Sequence, residues 1–194
     1  MISMSDRFTD RLFEFLTGIE AYESPYAETV SSPEDMIENL TNSAALKTAS
    51  LSAALSLPVG IFSIVTILPE LFLIYRIQGQ LIKDIASLYG KEAFVTKELL
   101  IYCMFKQTSL HLVERIIEDI GTKIIIRPST LKFLESLLQK IGIQVSKKIF
   151  KGSILKFLPV FGAILTGGLT YLDTKYISST AVGMFSKDMQ IASE

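Results

Sequence analysis

Apolar positions recur at helical spacing along most of the chain. Between residues 6 and 19, Leu12, Phe13, Phe15, Leu16 and Ile19 alternate with charged positions, which predicts a short amphipathic helix. Gly18 and then Glu23-Ser24-Pro25 end it, and residues 20–31 read as an acidic loop. A second helix starts at Ser32-Pro33-Glu34-Asp35. Ser32 suits a cap, Pro33 has no N–H to leave unpaired, and two acids favour the positive helix end. This helix runs through Met36, Ile37 and Leu40 into alanine- and serine-rich sequence.

From Thr48 to Pro69 none of 22 positions is charged. As one helix that run would measure about 33 Å, enough for a hydrocarbon core of about 30 Å. Six of its residues are Ser or Thr, however, and Pro58-Val59-Gly60 interrupts its centre. The expectation is two helices meeting at a bend, in a buried hairpin, a membrane span or a reversibly inserting segment.

Beyond Pro69 an amphipathic helix carries Leu71, Ile74, Tyr75, Gln78, Leu81, Ile82, Ile85, Leu88 and Tyr89, and Gly90 suits its C-terminal cap. Residues 93–106 and 109–120 predict two further helices, the second closed by Gly121. Lys123 to Arg127 has strand-like composition but no partner in view, so it reads as a buried linker. Pro128-Ser129-Thr130 starts a helix that Gly152 ends. A last helical region spans 153–189, bent near Pro159, with 16 uncharged residues from Phe157 to Leu172. At about 24 Å this stretch falls short of a span.

These elements predict an all-α fold, a single compact bundle of about six to eight helices with apolar, proline-bent central helices. Residues 1–32 form an N-terminal amphipathic helix and acidic loop, and 33–190 the main helical domain. Composition sharpens the picture. Apolar residues make up 49% of the chain and charged ones 20%, with a mean hydropathy of +0.40. Such surplus apolar surface needs a core, a partner or a bilayer. Net charge is −1, but residues 1–46 hold nine acids and two bases, while 47–194 hold 17 bases and 11 acids. Opposite solvated faces, or an acidic segment folded over a basic surface, would each account for that split.

Two segments carry a family resemblance. One runs from Leu68-Pro69-Glu70-Leu71 to Ile85-Ala86-Ser87-Leu88-Tyr89-Gly90. The other is Leu158-Pro159-Val160-Phe161-Gly162-Ala163, followed by Gly167-Gly168, Tyr171, Thr174, Ala181 and Phe185. Together they resemble the EcsC family of bacterial proteins over roughly residues 35–190. The second segment is also similar to a C-terminal domain of some membrane-associated bacterial GTPases. Ile67 precedes the Leu-Pro pair, where the family pattern has an acid. The resemblance implies an α-helical, cytoplasmic, often membrane-associated protein with no established reaction and no catalytic residues.

Pro159, Gly162, Gly167 and Gly168 are candidate helix-packing positions. A glycine in a helix interior costs roughly 1 kcal/mol relative to alanine, and close approach by another helix is the usual compensation. A helix end or hinge after Pro159 is the alternative.

Chemistry is sparse. His111, the only histidine, would share a helix face with Glu114 and Glu118, a metal or general-base arrangement if those residues were helical. Ion pairing with Arg115, Lys106 or Lys123 is the plainer reading. Cys103, the only cysteine, sits among apolar neighbours as a buried thiol and permits no internal disulfide. Neither a nucleophile elbow nor a phosphate-binding loop is present, so neither a catalytic constellation nor a cofactor is expected.

Lysines are the most informative charges. Between 131 and 156 stand Lys132, Lys140, Lys147, Lys148, Lys151 and Lys156, against a single acid, Glu135. Lys140, Lys147, Lys148, Lys151 and Lys156 are the candidate lipid- or anion-binding residues, since the cluster runs directly into the uncharged stretch 157–172. An ordinary solvated face is the competing reading. Nucleic acid is not an expected partner, because the chain is acidic and lacks aromatics interleaved with exposed bases. The expected protein is non-enzymatic, cytoplasmic and peripherally membrane-associated, meeting a membrane surface or membrane protein. The alternative is a soluble protein–protein interaction module or homo-oligomer.

Overall fold

The structure, a computed structural model, describes residues 4–27, 33–55, 63–153 and 159–192. Its helices are α1 (Met4–Glu20), α2 (Glu34–Leu55), α3 (Ser63–Leu88), α4 (Lys97–Val113), α5 (Leu131–Ser153) and α6 (Pro159–Phe185). A 3-10 turn at Glu92–Phe94 precedes α4, and three short strands complete the fold: β1 (Ile117–Asp119), β2 (Lys123–Ile126) and β3 (Asp188–Ile191). The protein is thus mainly a helical bundle, with a small sheet.

Local chemistry explains the helix ends. Pro33 and two acids open α2, and the Pro33 carbonyl accepts from Ile37 N–H at 2.9 Å. Thr96 and Thr130 cap α4 and α5 by accepting from the N–H groups of Leu99 and Phe133. Gly90, at φ 65°, ends α3. There Lys91 N–H bonds the Ala86 carbonyl at 2.8 Å and Gly90 N–H bonds that of Ser87 at 2.9 Å, the paired closure a left-handed glycine permits. Pro159 is the first residue of α6, where its missing N–H is no loss. The bend expected at Pro58-Val59-Gly60, and the cap expected at Ser32, lie outside the described residues.

One core joins all the elements. Its centre is α4, where Leu99 through Phe105 are buried without interruption, as in a helix enclosed on every side. Leu12, Leu16 and Ile19 of α1, Ile82 and Ile85 of α3, Leu138 and Ile141 of α5, and Ile177, Ala181 and Phe185 of α6 close around it. α1 therefore belongs to the same core as the helices after residue 33.

Four sequence expectations are corrected here. Residues 109–120 are not one helix: α4 ends at Val113, and Ile117–Asp119 is a strand. Nor is 123–127 an unpaired linker. β2 is the middle strand, antiparallel to β1 and parallel to β3, with Ile124 opposite both Asp119 and Met189. Gly121, at φ 69°, closes no helix but turns the β1–β2 hairpin, where Ile120 N–H bonds the Lys123 carbonyl at 2.9 Å. The last helical region also stops sooner, at Phe185, because 188–191 joins the sheet. Ile124 and Ile126 are fully buried by these pairings.

Candidate functional site

The helices α2 and α6 lie antiparallel along a seam of small and hydroxyl side chains. Thr41 meets Ser178 at 2.6 Å, Thr48 meets Thr174 at 2.8 Å, and Thr170 donates to Ser52 at 2.9 Å. Gln78 of α3, fully buried, donates to Thr174 at 3.0 Å and to Asp173 at 3.3 Å. Gly167 lies in this seam: a Cβ there would stand 3.1 Å from the Ala49 carbonyl oxygen and 3.2 Å from the Ala53 Cβ. Its neighbour Gly168 faces open space, with nothing within 4 Å of a Cβ, so it makes no close helix contact of that kind. Gly162 lies in the first turn of α6.

This seam sets the direction of the whole bundle. Gln78 meets Thr174, and Lys91 reaches the Phe185 carbonyl at 2.8 Å, so α3 and α6 run parallel in nearly constant register. Their first residues, Ser63 and Pro159, therefore lie at the same level, beyond the C-terminal end of α2. Ser153 of α5 is joined to Pro159 by five residues, which limits their separation to about 21 Å. The described parts of the two uncharged runs, 48–55 with 63–69 and 159–172, thus share one end of the molecule, and the basic half of α5 leads to it. Leu169 and Leu172 of α6 are 59% and 64% exposed, and Leu73 of α3 is 48% exposed. Among the described residues no helix is long and apolar enough to cross a membrane.

The candidate lysines do not all share one position. Helical spacing sets Lys140, Lys147 and Lys151 within about 40° of one another, along a stripe of about 16 Å. Lys148 lies about 80° round from Lys140, on the bearing of the buried Leu137 and Ile141. Lys156 lies outside the described residues. Lys140 is exposed and lines a cleft of about 150 Å³ with His111, Leu112, Arg115, Phe133, Ser136 and Leu137. Neither His111 nor Arg115 stood among the candidate anion ligands. Reading 109–120 as one helix tied them to Glu114 and Glu118, whereas His111, in the last turn of α4, and Arg115, in the turn beyond it, line the cleft with α5.

The metal or general-base arrangement is corrected by the same break. Glu114 sits in an exposed turn, and Glu118, on β1, pairs with Arg127 on their exposed side. Among the described residues no group of three metal-ligating side chains forms. Cys103 is fully buried, and burial pushes its thiol up to about 12, despite the opposing pull of Lys106.

A second ionisable cluster lies where residues 20–27 cross the end of α3. Lys83 donates to the Glu20 carbonyl at 2.6 Å, and Lys97 pairs with the Glu20 carboxylate. Asp84, 9% exposed, accepts from Ser24 at 2.8 Å and from Tyr22 at 3.1 Å. Burial raises the Asp84 pKa against those two hydrogen bonds, and a weaker push comes from Glu92. Burial and then Asp84 raise Tyr22 to about 12. These groups hold one another and anchor the acidic loop, and an open depression of about 520 Å³ beside them is lined by Glu20, Lys83, Glu92, Ala93, Val95 and Thr96.

No family model matches the chain, and no curated protein and no solved structure is significantly similar to it. Fold and site together define a helical bundle with a small sheet, an end to which two uncharged sequence runs lead, and an adjoining basic helix.

Proposed function

We propose that this is a non-enzymatic, cytoplasmic protein that attaches peripherally to anionic membranes. The observation that carries the reading is the meeting of two uncharged runs at one end of the bundle, beside the lysine stripe of α5. Leu169 and Leu172 supply apolar contacts at the level of the acyl boundary, while Lys140, Lys147 and Lys151 meet phosphates. At about 1 kcal/mol per lysine near an anionic surface, three lysines contribute roughly a hundredfold in partitioning. The resemblance to the EcsC family supports the same reading.

Liposome flotation tests it. The chain floats with vesicles containing phosphatidylglycerol at low salt and is released as salt shortens the screening length. Equal absence from neutral and anionic vesicles at low salt refutes it. The exposed leucines of α6 favour one alternative, a soluble homo-oligomer, and light scattering separates the two. A stable oligomer that ignores vesicles supports the alternative.

A further inference from the structure

Several lysines and arginines of the described bundle are occupied. Lys83 and Lys97 hold the 20–27 loop, Lys91 bonds the carbonyls that end α6, Lys175 donates to Asn42, and Arg127 and Lys187 pair with acids of β1. The cleft between the end of α4 and the middle of α5 differs. His111, Arg115 and Lys140 line it together, and among the described residues none of the three is engaged in a hydrogen bond or ion pair. Among the described residues no carboxylate lines it. Glu118 is committed to Arg127, and Glu135 lies about 140° around α5 from Lys140.

The geometry points to this cleft as a binding site for a phosphate group. Arg115 offers a planar fork of donors suited to phosphate oxygens, His111 and Lys140 add N–H donors, and Ser136 adds a hydroxyl. Leu112, Phe133 and Leu137 form apolar walls that strengthen charged hydrogen bonds by thinning the water around them. The volume of about 150 Å³ equals about five waters, room for one phosphate with part of its hydration. The C-terminal end of α4 works against an anion, with about half a negative charge, but the charges of Arg115 and Lys140 outweigh it. Moreover, the Val113 carbonyl at that end already accepts from Ile116 N–H. The phosphate is either that of a lipid phosphomonoester, entering along the α5 stripe, or a soluble one. Only the lipid source rests on the membrane reading.

The single histidine is its own reporter. The imidazole ¹H–¹⁵N resonances of His111 in the full chain are followed while inorganic phosphate is titrated against sodium chloride of equal ionic strength. The same resonances are then followed with bicelles carrying phosphatidic acid or, at equal surface charge, phosphatidylglycerol. A saturable shift specific to inorganic phosphate, or to phosphatidic acid over phosphatidylglycerol, is expected, and the arm that produces it identifies the source. Arg115→Gln with Lys140→Gln weakens it at least tenfold, whereas Lys132→Gln, on α5 but outside the cleft, leaves it unchanged. Absence of a phosphate-specific shift in both arms overturns the site. Should the chain still float with anionic vesicles in that case, the cleft assignment fails while the membrane reading stands.

Discussion

Gly167 and Gly168 are adjacent on one helix yet meet opposite surroundings, which makes them a matched pair. Replacing either by alanine removes the same backbone freedom and gains about 1 kcal/mol of helix propensity. At Gly168 nothing opposes that gain, because its Cβ position is open. Gly168→Ala therefore raises stability by about 0.5–1 kcal/mol, or about 1–4 °C in Tm for a chain of this size. At Gly167 the new methyl would sit 3.1 Å from a backbone oxygen of α2 and 3.2 Å from Ala53. Relief requires α2 to shift, and overpacking of this kind typically costs about 1–3 kcal/mol. The expected outcome for Gly167→Ala is a loss of up to about 2 kcal/mol, a difference of about 1–3 kcal/mol between the two variants. Urea unfolding followed by circular dichroism measures both. If the midpoints move together, the close α2–α6 contact is not formed at Gly167.

Three further outcomes follow from the buried polar groups. Thr174→Val removes one acceptor of Gln78 and one partner of Thr48 but leaves Gln78 its bond to Asp173 and Thr48 its bond to the Ala45 carbonyl, so it should cost about 0.5–1.5 kcal/mol; no loss in urea melts would mean that the Thr174 hydroxyl contributes nothing to the seam. The Cys103 thiol stays protonated at pH 8, so iodoacetamide should modify the native chain slowly and the unfolded chain quickly; equal rates would contradict its burial. Asp84 has a folded-state pKa above its ordinary 3.8, so its favourable contribution is full below that value and disappears as pH rises through the raised one. Asp84→Asn should therefore gain stability relative to the parent at pH 7, and the advantage should shrink toward pH 4, as urea midpoints at the two values would report.

Periodicity alone located α1, α3 and α5, whereas α4 runs unbroken from Lys97 to Val113 through the break expected between 106 and 109. The spacing of Leu12, Leu16 and Ile19, the run from Ile74 to Leu88 and the face of Leu134, Leu137 and Ile141 each state which side is buried, because an apolar stripe recurring every three or four residues has one low-energy use. The helix starts near Pro33 and Thr130 and the cap at Gly90 were equally legible, since they depend on local backbone chemistry. The thiol of Cys103 was readable from its neighbours in the same way.

The sheet was not legible, although Gly121-Thr122 between isoleucine-rich segments is also a hairpin signal. The same glycine serves a helix end or a hairpin turn, and only pairing decides between them. Half of that pairing comes from β3, more than 60 residues away in the chain. The candidate site depended on tertiary structure for the same reason. A run of lysines is visible in the sequence, but its division by helical phase and its junction with His111 and Arg115 require α4 to stop at Val113 and α5 to fold back across its end. Which glycine touches a neighbour is likewise a property of the α2–α6 contact: Gly167 and Gly168 are the same residue type one step apart, and the hundred degrees between them is all that separates a packed position from an open one.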